Sequence, residues 1–575
     1  MEDSDESKNV PKNDSLIQLP AELIFRILSY CNIFDICSIS LTCKTLNEYA
    51  ESFYVWKQKW DNLLIKSHLQ FPHMSADELV NYKILCIRLW KICFQKQAIP
   101  RCIHCKQMTC TSSCSQTWDR KVVIDIGSKI TWLLPTSFVL RRHPSVVAVR
   151  RKTQDSSVEH QEIHRACKCS CCHRSVNPAC ILCSPEKTNG AFSDWKMKPN
   201  AAYAQQDCAC ADDTFEMNYS MRNLAVCDKS SMFTKDRTSL WDDIMVYLFG
   251  NVSEWQMVSP LDCFLHEQSD VGIFNFYLKH ILEQYKMLEE VRRPNVSLVI
   301  CEPAESTMSI RRKIVTLLFE KLQVNRVCFL NKALAVSKLQ DLETCLVVDS
   351  GASNTVVTVI IDGKVRNSQH VPVGGLTVAQ NLAQAIEMKG LLENVALSSL
   401  DTNRVKSNCH LAYSLAAEER RIQPIPKQSV YARTRINSDG TRSKLHRIDL
   451  GAELHLAPET MYAALGLPEI IQTCVEDLDK QESHDVLGKI ILTGGNTELR
   501  GFANRLTKDL RQLMPQFSAI INTPTFSGCR SCDVAMGGSR IHTPLASSTS
   551  EWNGAGEAVW VSREMYILYG TDRLI

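Results

Sequence analysis

Three short stretches of this chain set glycine beside a carboxylate or hydroxyl at the end of an apolar run: Asp125-Ile126-Gly127-Ser128, Asp349-Ser350-Gly351-Ala352-Ser353 and Thr493-Gly494-Gly495-Asn496-Thr497. Backbone amides in such turns can cradle phosphate, and a carboxylate beside them can hold magnesium through water. Paired strand-turn copies therefore point to a nucleotide clamp formed by two related lobes. None of the three stretches is specific alone, because glycine also simply permits the turns of a fold.

Thiols are the second chemistry. Of 26 cysteines, 13 lie between Cys102 and Cys227, a density that dispersed core thiols do not produce. In a reducing compartment that clustering points to metal before disulfides. Cys169, Cys172, Cys180 and Cys183 form two CxxC knuckles, each able to give two thiolates to one tetrahedral zinc, and Cys102, Cys105, Cys110 and Cys114 form a looser set. Cys167, Cys171 and His173, with Cys208 and Cys210 further on, leave the ligand choice open. Free surface thiols are the plainer alternative. Redox catalysis is disfavoured, since a thioredoxin-like CxxC opens a helix after a strand and both sets sit in polar, loop-like sequence.

The elements that must position these groups change character along the chain. Residues 1 to 15 are charged and nearly without apolar side chains, as in a disordered tail. From Leu19 to Trp60, Leu23, Ile27, Leu28, Ile36, Ile39 and Leu46 recur at helical intervals, which predicts several short helices with Trp56 in their core. A second helical pattern, Asp77 to Ala98, carries Tyr82, Leu85, Leu89 and Ile92 and reads as a stem. From Lys121 the pattern turns to buried strands alternating with helices, the texture of an α/β body. Residues 151 to 235 interrupt it with polar, cysteine-rich sequence that suits a long insertion.

Length and charge bound the function. A chain of 575 residues holds more than one core, and a net charge of +2 with both signs interspersed exerts no global pull on nucleic acid or anionic membrane. Protein partners are expected instead. The start, Met1-Glu2-Asp3-Ser4, is acidic where a secretory leader would be basic and then apolar. Apolar runs stop short of spanning length, as at Asp349 and Asn354, so no membrane association is expected and the protein is placed in the cytoplasm, the nucleus or both. Arg141-Arg142 and Arg150-Arg151-Lys152 read as the solvated ends of a strand around Val146 to Val149.

Leu19-Pro20-Ala21-Glu22-Leu23, then Ile27-Leu28-Ser29-Tyr30, Asp35-Ile36-Cys37 and Val55-Trp56-Lys57, resembles the F-box in order and spacing. The resemblance implies a small all-α module docking on the Skp adaptor of a cullin–RING ubiquitin ligase, with Leu19, Pro20, Leu23, Ile27, Leu28 and Ile36 as its docking surface. So short a segment buries little of its own surface, which fits a need for an apolar partner face. A plain helical cap on the following domain is the bland alternative.

In order and separation the three glycine turns resemble the phosphate-one, phosphate-two and adenosine segments of actin and actin-related proteins. Trp241-Asp242-Asp243-Ile244, Cys301-Glu302-Pro303, Val373-Gly374-Gly375-Leu376-Thr377 and Asp533 to Ser539 extend the likeness. It implies a two-lobed, ribonuclease-H-like α/β body holding ATP or ADP with magnesium. Asp125, Gly127, Ser128, Asp349, Gly351, Gly374, Gly375, Lys406, Gly494 and Gly495 would line that site. Departures from the family are equally plain. Lys129 replaces a glycine, Trp132 the phosphate-contacting lysine, Ala352-Ser353 an aspartate-glycine pair, Ser407 the acid beside the ribose and Lys332 the glutamine that orients the attacking water. An ammonium neither accepts that water's proton nor orients it as an amide does. No catalytic residue is assigned, hydrolysis is not expected, and occupied and empty clefts both stay open.

The sequence thus divides into a tail (1–15), an F-box (16–62), a helical stem with the first cysteine group (63–118) and an actin-like domain (119–575) interrupted by the insertion at 151–235. A monomeric substrate receptor of a Skp–cullin–F-box ligase, presenting an unknown protein substrate, is the expectation. The alternative is a structural actin-related subunit of a chromatin or cytoskeletal-motor complex that binds ATP without hydrolysing it.

Overall fold

The computed structural model describes residues 19–67, 81–93, 120–127, 130–145, 147–150, 224–225, 255–261, 271–293, 295–304, 306–388, 406, 408–411, 428–433, 445–522, 529–541 and 558–571. Among them no helix is long and apolar enough to cross a membrane.

The N-terminal module is four helices, α1 (Ala21–Tyr30), α2 (Ile33–Ser40), α3 (Lys44–Ala50) and α4 (Phe53–Ser67). Pro20 sits just before α1, where its missing N–H costs nothing, and its carbonyl accepts from the amides of Leu23 and Ile24. A capping box of Asn32 and Asp35 starts α2. Trp56 is core, its indole N–H donating to the Ala50 carbonyl at 2.7 Å. Helix α4 runs on to Ser67, through the boundary expected at 62.

The stem is helix α5 (Tyr82–Cys93), inside the expected stretch. It has two apolar interfaces. Toward the F-box module, Cys86 Sγ meets the Trp56 carbonyl at 3.4 Å, and Trp90 receives Phe34 edge-on at 4.5 Å. Toward the body, Lys91 pairs with Glu320 at 3.0 Å and the Ile92 carbonyl accepts from Gln323 at 3.3 Å. One continuous apolar cluster therefore joins Leu28, Ile36 and Trp60 through Leu89 and Ile92 to Val122, Ile300, Phe319 and Tyr566.

The body repeats one topology twice. Its first sheet is built from β1 (Arg120–Ile126), β2 (Ile130–Leu134) and β3 (Arg141–Pro144), followed later by β7 (Val296–Glu302), β8 (Arg326–Asn331) and β16 (Val559–Ser562), in the order β16-β8-β7-β1-β2-β3. A small side sheet holds β4 (Val147–Arg150), β5 (Leu224–Ala225) and β6 (Trp255–Val258); the expected strand is present and runs into Arg150, but Arg141 and Arg142 belong to the separate strand β3 and are not its other end. The second main sheet, β11-β10-β9-β14-β15, comprises β9 (Cys345–Ser350), β10 (Thr355–Ile361), β11 (Lys364–Val371), β14 (Ile490–Thr493) and β15 (Ile521–Asn522). In each sheet an antiparallel three-strand meander is extended by parallel strands on its first strand's free edge. Parallel strands need crossovers, and helices such as α6 (Val271–Gln284), α7 (Leu288–Val291) and α8 (Met308–Glu320) supply them. The second lobe adds the hairpin β12 (Gln428–Arg433) and β13 (Leu445–Leu450) and the helices α10 (Gly375–Met388), α11 (Glu453–Leu465), α12 (Leu467–Val475), α13 (Lys480–Leu487) and α14 (Phe502–Leu513). Helices α9 (Lys332–Leu339) and α15 (Asp533–Gly538) lie between the sheets in a shared apolar layer. They approach so closely because Gly537 has no Cβ to strike the Ala335 carbonyl.

Candidate functional site

The duplicated topology brings the two aspartates to equivalent places. Asp125 is the penultimate residue of β1, opposite Cys301 of β7, and Asp349 the penultimate residue of β9, opposite Thr493 of β14. Both strands end toward the cleft between the sheets, which is where parallel α/β sheets put ligand chemistry. Beside Asp125, and within electrostatic reach of Asp349, stands Lys332, the first residue of α9 (Lys332–Leu339). Its Nζ lies 2.9 Å from Asp125 Oδ1 and donates to the Ile126 carbonyl at 2.8 Å. Burial alone would push this ammonium down, but Asp125 and Asp349 outweigh it and hold it above the ordinary lysine value. Lys332 thus replaces a neutral amide with a fixed, paired positive charge.

The glycine turns are largely satisfied by one another. Gly375, the first residue of α10 (Gly375–Met388), and Leu376 donate their amides to the carbonyls of Gly351 and Ala352, at 3.0 and 2.8 Å. A Cβ on Gly374 would lie 2.6 Å from the Ala352 carbonyl oxygen, and one on Gly375 would collide with Lys406 Nζ and Asn496 Oδ1. Gly494 has φ of +84° and packs against Ser350. Lys406, expected at a ribose, donates to Asn496 Oδ1 at 2.9 Å, while Asn496 donates to the Gly351 carbonyl at 2.6 Å. The sequence reading passed over Asn496, although it stands in the third glycine turn; its role is visible only once two lobe-two turns are side by side. Gly495 alone of these glycines faces open space. Gly127 follows β1 directly, and Ser128 and Lys129 lie outside the described residues. Trp132, at the position of the family's phosphate-contacting lysine, packs its indole against Cys532 and Ala535 of the α15 region.

That same region holds a group the sequence reading did not single out, Cys529-Arg530-Ser531-Cys532 followed by Asp533. Hydrogen bonding to Cys532 and Ser531 draws the Cys529 thiol down to about 7, and burial, with Cys529 beside it, pushes the Asp533 carboxyl up to about 7. The CxxC spacing was the available signal. Among the described residues no group of three or more His, Cys, Asp or Glu side chains is arranged to hold a metal ion. The proposed zinc ligands Cys102, Cys105, Cys110, Cys114, Cys169, Cys172, Cys180 and Cys183 all lie outside the described residues.

In the N-terminal module the expected docking residues separate into two faces. Leu23 and Ile27 are 45% and 40% exposed, Pro20 is exposed and Leu19 half-buried, whereas Leu28 and Ile36 are 2% and 0% exposed. Leu28 and Ile36 are therefore corrected from docking surface to core. The turn of α1 that points Ile24 and Leu28 inward points Leu23, Ile27 and Tyr30 outward, and Ile36 shares the inner face of α2 with Ile33. Tyr30, 81% exposed, extends the outer apolar face of α1 and was missed, whereas Phe34, 54% exposed, meets Trp90 of the stem.

A duplicated meander-and-crossover sheet around an aspartate-lined cleft defines an actin-type, two-lobed body, here carrying a helical docking module at its N-terminal side. Comparison with known proteins agrees. The actin family model matches residues 275–434 and 426–573, together just over half of the chain, and the F-box domain model matches residues 16–58. The chain belongs to the actin family and contains an F-box domain. It is 23% identical over 282 residues to actin-related protein 2 of Acanthamoeba castellanii, covering 45% of this chain and 70% of that protein. It is 29% identical over 202 residues to actin-like protein ARP6 of Yarrowia lipolytica, covering 32% and 52%. Actin-related protein 6 of Drosophila melanogaster is 24% identical over 257 residues, covering 38% and 64%. The chain thus spans between about half and seven-tenths of the length of these relatives.

The actin fold generally binds ATP or ADP with magnesium. The residues present here do not fit the metal: the Asp125 oxygen that would face it is paired with Lys332, and a dication beside a buried ammonium is repelled. The phosphate cradle is also in part spent, since the amides of Gly375 and Leu376 already have carbonyl partners.

Proposed function

We propose that this protein is the substrate-recognition subunit of a Skp–cullin–F-box ubiquitin ligase and that its actin-like body is a protein-binding module without enzymatic activity. The observation that carries the reading is the outer face of the F-box module. Leu23, Ile27 and Tyr30 leave large apolar surface in water on a module whose inner face is already buried against the stem and body. A patch of that kind marks a protein-docking site. The mechanism is positional: docking tethers a bound client near the ubiquitin-loaded enzyme and raises its effective concentration, so no catalytic side chain is needed in this chain.

Co-purification of the Skp adaptor and cullin with the full chain, in the cytosol or nucleus, tests the proposal. Loss of the adaptor in Leu23→Ala/Ile27→Ala supports it. Absence of the adaptor from the wild-type complex, with stable recovery of chromatin or motor subunits instead, would favour a structural actin-related subunit. Structural zinc on Cys169, Cys172, Cys180 and Cys183 belongs to the same proposal on ligand spacing alone. Metal analysis of the purified chain is expected to find at least one tightly held zinc.

A further inference from the structure

We infer that Lys332 is a built-in cation that takes the place of a divalent metal ion in the cleft, pairing with Asp125 of the first lobe and acting on Asp349 of the second, so that the lobes are held together without metal. Four observations carry this. The ammonium is 2.9 Å from Asp125 Oδ1 and 2.8 Å from the Ile126 carbonyl oxygen, two oxygen ligands of the kind a hard cation takes. It sits at the first position of α9, the positive end of a helix, where a lysine is locally disfavoured and only a strong external carboxylate accounts for it. Both partners are withdrawn from water, with Asp125 7% and Lys332 15% exposed at the side chain, so each charge needs the other. Asp349 is the penultimate residue of β9, whose Cys345 and Val347 share an apolar layer with Ala333 to Val336 of α9, and it adds its own attraction to the same ammonium. Lys332 thereby bears on the strand-end carboxylates of both lobes, and α9, which carries it, already lies in the apolar layer between the sheets.

A lysine in this role has a consequence that a mere surface substitution lacks. Magnesium should be irrelevant to the wild-type cleft and should become relevant when the ammonium is removed, because the two carboxylates are then left uncompensated in a cleft shaped for a cation. The inference does not depend on adaptor binding, and its test does not read it.

Thermal unfolding of the full chain, first stripped of zinc with EDTA and then followed by tryptophan fluorescence in EDTA and, after its removal, in millimolar magnesium chloride with no nucleotide, tests it. The wild-type midpoint is expected to be the same in both. Lys332→Gln should melt several degrees lower in EDTA, and magnesium should restore part of that loss. Lys332→Gln/Asp125→Asn should show no magnesium response. A wild-type midpoint that rises with magnesium overturns the inference, as does a Lys332→Gln protein that melts like wild type in EDTA or gains no more from magnesium than wild type does. Should Lys332→Gln fold only in magnesium, adding EDTA afterwards reads the same dependence. Asp125→Asn alone, which strands the ammonium, must also lower the midpoint; an unchanged value would show that the pair contributes nothing.

Discussion

At the scale of single residues, the cleft is decided by a few side chains that change charge or bulk where phosphate chemistry would need something else. Lys332 puts a paired ammonium where an amide would orient water, and Trp132 fills with indole, against Cys532 and Ala535, the place of a phosphate-contacting lysine. Either change alone is expected to disable hydrolysis, because one removes the group that positions the nucleophile and the other a charge that stabilises the phosphoryl oxygens. The purified chain is therefore expected to release phosphate from ATP no faster than Asp125→Ala/Asp349→Ala, measured in a continuous phosphate assay. Lys332→Gln alone should not restore turnover, since Trp132 and the Ala352-Ser353 turn remain. Turnover in the wild type that disappears in the aspartate variant would contradict this. The loss of the glutamine was legible in the sequence, but its consequence was not: Lys332 stands 206 positions from Ile126, and no local pattern announces that the two meet. The glycines show the converse. Gly374, Gly375 and Gly494 were readable as turn formers, yet what makes them necessary is neighbouring chain at Ala352, Lys406 and Ser350.

At the scale of elements, helical periodicity located the F-box helices but did not say which apolar face is which. Both faces of α1 are apolar, the inner one through Ile24 and Leu28 and the outer through Leu23 and Ile27, and a pattern with two candidate faces is settled only by where the neighbours lie. The two faces predict opposite phenotypes. Leu23→Ala/Ile27→Ala should abolish adaptor co-purification while lowering the melting midpoint far less than a core truncation does, because nearly half of each side chain is already in water. Leu28→Ala should cost about 2–5 kcal/mol of stability, measured by denaturant unfolding, as expected for a cavity in a packed core. A second element-scale expectation concerns β3 and α6. His143 is buried among Tyr277, His280 and Tyr285, and burial, with His280 nearby, lowers it to about 3. The unfolded chain binds this proton near pH 6.5 and the folded one does not, so stability rises with pH across that window and is lost as pH falls below 6.5. Between pH 6.5 and 5, before most carboxylates titrate, the loss attributable to this ring is about 2 kcal/mol, from about 1.4 kcal/mol per unit. His143→Phe should flatten that part of the stability–pH curve. A curve unchanged by the substitution would mean that the ring is not kept neutral by its surroundings.

At the scale of the whole molecule, two modules that the sequence presented as separate share one core. The stem was readable as an amphipathic helix because its apolar residues recur at helical spacing, but its second interface involves Glu320, Gln323 and the chain near Leu568, more than two hundred positions away. Leu89 and Ile92 are wholly buried between the F-box helices and the first lobe. A receptor that works by position benefits from such a joint, since the distance from docked adaptor to bound client is then set by packed side chains and not by a linker. Wild-type protein is accordingly expected to unfold its F-box and first lobe in one transition. Leu89→Ala removes side-chain volume at the centre of the joint and should cost roughly 2–5 kcal/mol there. The F-box should then open at lower denaturant than the lobe, giving two transitions by fluorescence, and protease should cut sooner between residues 93 and 120. Adaptor binding should survive, because Leu23 and Ile27 are untouched, while ubiquitin transfer to a bound client should fall. Retention of a single transition in Leu89→Ala, or equal loss of adaptor binding and transfer, would show instead that the joint does not set the geometry and that the F-box is held only by its tether.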